Sequence, residues 1–290
     1  MLCIVCYMNY NKNKKSLGVD IMSVVVITGS ARGFGLCQAK KFKELGFNVV
    51  ISDINETNLE KALKKLNEIN KESTKAISVK CNVTVMEEVE NLYLKAKEEF
   101  NQVDIWINNA GVNSPDKPVY QLTDKEIAFI LDVDLKGTIY GSSVAFKYMK
   151  EQGFGKIYNV EGYGSNDAMM TGLTMYGTAK RAVTYFTKSL AKESKDVCHE
   201  AVKVCRLAPG IMITDFITHA NGDKTKIEIP EKTKKIYNIL GDYPETIVNY
   251  VVPRMIKNNK NNKQILWLTN RKAFWRFMTA GFTKRDFFKD

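Results

Sequence analysis

The 290-residue chain is 44% apolar and carries 43 Lys and Arg against 32 Asp and Glu, a formal net charge of +11. That is enough to bury one α/β core, and no apolar run reaches the roughly 18 residues a membrane helix needs. The charge belongs to the ends: residues 254–290 hold 10 Lys or Arg and 2 acids, residues 1–21 hold 3 Lys and 1 Asp, and the body from Met22 to Pro253 carries only +1, so no nucleic-acid partner is expected.

Six cysteines, at 3, 6, 37, 81, 198 and 205, show no ribbon or finger spacing, and the lone C-x-x-C of Cys3 and Cys6 has no second pair. Incidental thiols in a reducing, cytoplasmic compartment are expected, and no metal site. His199 and His219 are the only histidines, which leaves little for a histidine-based triad.

Residues 1–21 begin with an apolar patch and pass through the polar run Asn9–Ser16. The patch precedes the lysines and lacks a small-residue cleavage pattern, so a secretory signal is not expected. Leu17-Gly18-Val19 can be encoded by a purine-rich stretch like a bacterial ribosome-binding site. Met22 is therefore the expected start, with residues 1–21 an untranslated extension.

Val24 to Ile27 is a β-branched apolar run suited to a buried parallel strand, and Gly29, Gly33 and Gly35 follow it in a T-G-x-x-x-G-x-G pattern. Leu36, Ala39, Phe42 and Leu45 then recur at helical spacing, which puts the glycine loop's N–H groups at a helix N-terminus suited to a phosphate. A second strand is expected at Phe47–Ser52, ending at Asp53, with a helix carrying Leu59, Leu63, Leu66 and Ile69. A third at Ala76–Val79 precedes a helix carrying Val89, Leu92, Tyr93 and Ala96. A fourth at Val103–Ile107 runs into Asn108-Asn109-Ala110-Gly111. Strands alternating with helices predict a Rossmann-type, doubly wound parallel sheet in three α/β/α layers, as a single domain over 22–268.

Two long helices are expected, at about Asp124–Glu151 with a break near Asp134–Gly137, and at Met175–Lys195. The fifth strand, Lys156–Val160, lies between them, and the sixth, Val202–Leu207, ends at Ala208-Pro209-Gly210. The looser helical stretch 213–255, broken by Pro230, Gly241 and Pro244, follows the carboxyl end of a strand and reads as a substrate lid. Residues 269–290 form a basic aromatic tail, for which docking on the body, a partner contact and an anionic lipid surface all remain open.

Tyr176 and Lys180 are spaced i, i+4 and leave one helix face a turn apart. A neighbouring ammonium stabilises a phenolate and lowers its pKa, so the pair is expected to exchange a proton near neutral pH. Asp53, after the second strand, suits a free ribose 2′-hydroxyl, whereas Arg32 suits a 2′-phosphate.

The ordered set of T-G-x-x-x-G-x-G, Asp53, N-N-A-G, Y-x-x-x-K and P-G-x-x-x-T resembles the short-chain dehydrogenase/reductase family from Val24 to about Leu268. The resemblance implies hydride transfer between a nicotinamide and a small-molecule carbonyl or alcohol; Ile54, where NADP enzymes of the family often carry Arg, joins Asp53 in tipping the expectation to NAD, with NADP the alternative. The resemblance assigns Tyr176, Lys180, Ser165 and Asp134 to catalysis. To the cofactor it assigns Gly29, Ser30, Arg32, Gly33, Phe34, Gly35, Asp53, Asn82, Val83, Asn109, Ala110, Gly111, Tyr176, Lys180, Pro209, Gly210 and Thr214, and it implies a homodimer or homotetramer through the long helices. Two positions depart from the family. Glu161 and Gly162 stand near the usual serine, with Ser165 the nearest hydroxyl, and Asp134 replaces the usual helix asparagine. Glu161-Gly162-Tyr163-Gly164-Ser165, Asn238-Ile239, Pro244-Glu245-Thr246, Val252-Pro253-Arg254-Met255 and Leu268-Thr269 resemble the chlorophyll b reductase branch, which implies a formyl-type carbonyl on a bulky apolar substrate. The departures leave a second class open, a dinucleotide-binding sensor or scaffold without turnover.

Overall fold

Strand β1 (Val24–Thr28) is buried along its whole length because helices cover both faces of the sheet. Val25 and Ile27 point into one core and Val24 and Val26 into the other, as the two-residue period of a strand requires. The computed structural model describes residues 22–70, 73–220, 225–226, 228–283 and 285–288; the expectations for residues 1–21, Cys3 and Cys6 included, lie outside these.

The described chain alternates β1, α1 (Gly33–Glu44), β2 (Asn48–Asp53), α2 (Glu56–Asn67), β3 (Ala76–Lys80), α3 (Met86–Phe100) and β4 (Ile105–Asn108). Helix α4 (Asp124–Ile130) passes through a π-helical turn, Leu131–Lys136, into α5 (Gly137–Gln152). Next come β5 (Gly155–Val160), α6 (Thr174–Cys198), β6 (Val202–Ala208), α7 (Asp215–Thr218), a two-residue ribbon β7 (His219–Ala220) with β8 (Thr225–Lys226), α8 (Glu231–Leu240), α9 (Pro244–Lys257), β9 (Gln264–Leu266) and α10 (Asn270–Thr279). Seven strands form one parallel sheet in the order β3-β2-β1-β4-β5-β6-β9. The strand order reverses between β1 and β4, and ligands bind beyond the carboxyl ends of strands at such a switch point.

Three expectations change. The break in the first long helix is a continuous π turn rather than an interruption, which rotates Asp134 inward to full burial. Helix α9 is core and not lid: Ile247, Val248, Val251, Val252 and Met255 pack into the cluster that α1 shares, so only the stretch up to Leu240 is free to cover a site. Strand β9 was not foreseen, because three residues after the polar run 258–263 carry no periodic signal of their own.

Candidate active site

The glycine loop is built for close backbone approach. Gly29 has φ +60, and a Cβ there would lie 2.6 Å from the Ala110 Cα; a Cβ on Gly35 would lie 2.6 Å from the Gly29 carbonyl oxygen. The β4 turn braces the loop: Asn109 Nδ2 donates to the carbonyls of Thr28 and Gly29, both at 2.9 Å, and the N–H groups of Asn109 and Ala110 each donate to Thr28 Oγ1 at 3.1 Å. Helix α1 begins behind it with no side-chain cap and no acid in its first turn. Its first N–H groups thus present partial positive charge, and the space over Gly33, where an added Cβ would meet nothing within 4 Å, is open. These residues fit a dinucleotide pyrophosphate.

Asp53 stands beside the loop. Its carboxylate accepts from Asn55 N at 3.1 Å and from Ala31 N at 3.4 Å, so its direction is set by backbone. Ser30 faces the other way. Its hydroxyl donates to Ile27 O at 2.7 Å and its N–H to Ser52 O at 2.9 Å, pinning the loop to β1 and β2, and Phe34 is a core side chain. Both contribute position rather than free polar groups. Asn82 Oδ1 accepts from Thr84, and Val83 packs where Gly137 leaves room. Pro209, Gly210 and Thr214 follow β6 at the same carboxyl edge.

Tyr176 and Lys180 are one turn apart on α6, with the Lys180 ammonium 5.5 Å from the Tyr176 ring centroid. Lys180 Nζ lies 2.7 Å from Asp134 Oδ1 in a pair removed almost entirely from solvent, and Asp134 Oδ2 accepts from Val112 N at 3.2 Å. Gly111 admits this carboxylate, since a Cβ there would lie 2.8 Å from Asp134 Oδ1. The ring of Phe216, on α7, covers Tyr176 at 6.0 Å.

The electrostatics correct the expected near-neutral phenol. Burial pushes Tyr176 up; Lys180 opposes it, but Asp134 and Tyr237 add to the rise, and the phenol stands at about 12. Burial also works against the Lys180 ammonium, which the Asp134 carboxylate nevertheless holds above the usual lysine value. Lys180 thus pairs with Asp134 and at the same time favours the phenolate, and burial outweighs it.

Ser165 is not joined to Tyr176. Its hydroxyl accepts from Gly162 N at 3.2 Å and donates to Lys180 O at 3.3 Å, closing the loop between β5 and α6. The residue facing the phenol is Gly162, where a Cβ would meet Tyr176 Cζ at 2.9 Å and Lys180 Cγ at 3.1 Å. Glu161 turns away into a buried cluster, accepting from Thr184 Oγ1 at 2.8 Å and Gln264 Nε2 at 2.5 Å. The sequence marks the Glu161–Gly162 position but not which of the two faces the phenol, and it gives no signal for Phe216 or Tyr237. No spacing rule links residues 162, 216 and 237.

A parallel sheet of this order, with a glycine cradle at its switch point and a buried Tyr–Lys pair at the next crevice, defines a Rossmann-type dinucleotide-binding protein. Residues 23–225 match the family model described as short chain dehydrogenase, and the chain belongs to that family. It is 30% identical over 271 residues to a probable chlorophyll(ide) b reductase, chloroplastic, of rice (Oryza sativa subsp. japonica), covering 88% of this chain and 52% of that protein. It is 31% identical over 261 residues to a chlorophyll(ide) b reductase, chloroplastic, of Arabidopsis thaliana, covering 88% and 72%. The chain thus spans about half the length of the rice relative. An alcohol dehydrogenase from the archaeon Thermococcus sibiricus, solved with 5-hydroxy-NADP, superposes with a TM-score of 0.69 at 23% identity, covering 85% of this chain and 96% of that one.

Proposed function

We propose that this protein is an NAD(P)-dependent oxidoreductase that reduces a carbonyl to an alcohol. The observation that carries the reading is the Tyr176 phenol, buried one helical turn from Lys180, whose ammonium lies 5.5 Å from its ring centroid, at the carboxyl edge of the sheet. When bound, the dinucleotide supplies the hydride. Tyr176 donates its proton to the carbonyl oxygen, Lys180 stabilises the phenolate that remains, and Asp134 holds Lys180 in place. Phe216 excludes water from the phenol. Once the alcohol has left and the cover over the phenol opens, a solvent proton restores Tyr176.

The substrate reading is a bulky apolar carbonyl compound. Tyr120, Met169 and Met170 are exposed on the two loops, 113–121 and 162–173, that meet where Gly172 abuts Asp116, and α8 supplies the outer cover. Unpaired thiols at Cys37, Cys81, Cys198 and Cys205 fit a reducing compartment, for which the cytoplasm is proposed. The two long helices are the surfaces proposed for a dimer or tetramer. Purified protein given NADH or NADPH with a panel of aldehydes and ketones should consume the reduced cofactor. Cofactor binding without consumption across the panel would instead support the sensor reading, which the missing hydroxyl at Gly162 favours.

NAD is proposed as the preferred cofactor because the fixed Asp53 carboxylate would repel a 2′-phosphate. Asp53→Ala should therefore raise the NADP-to-NAD ratio of kcat/KM about 10-fold, on the scale of 1.4 kcal/mol for one lost charge contact. An unchanged ratio would remove Asp53 from cofactor selection.

The tail docks on the 238–242 stretch: Arg276 and Arg285 donate to the carbonyls of Leu240, Ile239 and Gly241, and both converge on the Asp242 carboxylate. Asp242 is buried and accepts from Trp267 Nε1 at 2.7 Å, Arg276 at 3.0 Å and Arg285 at 2.8 Å, while its backbone pairs with Ile211 and Ile213 beside the site. Burial alone would raise its pKa, but the two guanidinium groups and Trp267 hold it below the ordinary value. The stabilisation is therefore present above the unfolded carboxylate pKa and is lost as pH falls through the lower folded one. Asp242→Ala strands two arginines and should cost about 3 kcal/mol in urea unfolding, with the tail becoming the first site of proteolysis.

A further inference from the structure

Helix α10 is packed with its polarity reversed. Arg276 points inward to Asp242, while Phe274, Trp275, Phe277 and Met278 face solvent at 52–64% exposure and Phe282, just beyond, at 92%. An apolar cluster of this size on a helix held in place by buried ion pairs needs an occupant. A chain of ring contacts continues the surface. Lys272 Nζ lies 2.8 Å from the Trp267 ring centroid, Trp267 meets Tyr250 at 5.1 Å, and the Arg254 guanidinium lies 3.4 Å over Tyr250. Tyr250 and Arg254 open onto a groove of about 590 Å³ that Lys257, Lys260 and Lys263 also line. Arg254, Lys257, Lys260, Lys263 and Arg271 are all exposed, and no carboxylate among the described residues forms an ion pair with any of them.

We infer that the face made by the end of α9, the β9 edge and α10 docks on an anionic lipid surface, with the α10 aromatics entering the headgroup layer and the five cations meeting lipid phosphates. The proposal goes beyond the oxidoreductase reading and does not depend on it. Charge complementarity selects this occupant. Residues 254–290 carry eight of the eleven net positive charges, so a second copy meeting the same face would oppose like charges. Exposed Phe, Trp and Met on a convex helix suit an interface of apolar depth and anionic headgroups, whereas single-stranded nucleic acid stacks within a groove.

The test is co-sedimentation of the full chain with vesicles of phosphatidylglycerol and, separately, of phosphatidylcholine. Binding to the first is expected, at least about 10-fold weaker binding to the second, and a fall with added salt. Lys257→Gln, Lys260→Gln and Lys263→Gln together should weaken binding about 100-fold, near 5-fold for each charge removed. Phe274→Ser with Phe282→Ser should weaken it about 10-fold or more with the circular dichroism spectrum unchanged. Should that variant misfold, brominated lipid should still quench Trp275 in the unaltered protein, and the quenching should fall to the smaller contribution of Trp267 when Trp275→Phe is made. Absence of sedimentation with phosphatidylglycerol, binding indifferent to both variants, tighter capture of single-stranded RNA, or lipid-free self-association lost in the aromatic variant would each overturn the proposal.

Discussion

Replacing Tyr176 by Phe is expected to lower kcat for carbonyl reduction by roughly 10²- to 10⁴-fold, the usual contribution of a positioned general acid. Dinucleotide affinity should change little, because the ring would still pack against Phe216 and the glycine cradle is built from other elements. The unaltered protein has a second signature. With its phenol at about 12, the reductive rate should not fall through loss of that proton between about pH 6 and 9, whereas alcohol oxidation, which needs the phenolate, should climb across the same range. Single-turnover kinetics of the variant, with fluorescence titration of the dinucleotide, separates chemistry from binding. A variant that turns over at the unaltered rate would remove Tyr176 from the mechanism.

The second large effect is expected at Gly162. An added methyl group would collide with the phenol and with the Lys180 side chain. Gly162→Ala should therefore displace the acid and reduce kcat about 100-fold, the penalty of a misplacement near 1 Å. Gly162→Ser should do no better: although it restores a hydroxyl near the position where the family carries one, the phenol already occupies that volume. Ser165→Ala should change kcat less than about 3-fold and act on the loop, whose closure rests on its bonds to Gly162 N and Lys180 O. Steady-state kinetics of the three variants checks the assignment. A loss at Ser165→Ala equal to that at Gly162→Ala would return the catalytic hydroxyl to Ser165.

The raised pKa of the phenol follows from the same geometry. With asparagine at 134 the lysine charge would be free to act on the phenol, but a carboxylate 2.7 Å from the ammonium cancels much of that field. Burial then decides, and the site keeps its proton until a carbonyl oxygen accepts it. An acid that is protonated before the substrate arrives is suited to reduction.

Local chemistry legible along the chain determined a large share of this protein. The Val24–Ile27 run, the Gly29-Gly33-Gly35 spacing and the alternation of strands with amphipathic helices determined the doubly wound sheet, because each depends only on residues a few positions apart. The i, i+4 placement of Tyr176 and Lys180 was legible for the same reason. What only the tertiary structure decided was everything set by contacts between distant segments. The π turn carries Asp134 to Lys180, forty-six positions away in number, and burial of the phenol, opposed by Lys180 and aided by Asp134, holds it at about 12 rather than near neutral. Gly162, Phe216 and Tyr237 reach Tyr176 from three separate elements, and Asp242 turns a tail with three open readings into a docked helix with its aromatics outward. The fold follows from periodicity and turn chemistry, which a short window holds. The strength and sign of a buried charge depend on which groups share its cavity, and only packing of the whole chain brings those groups together.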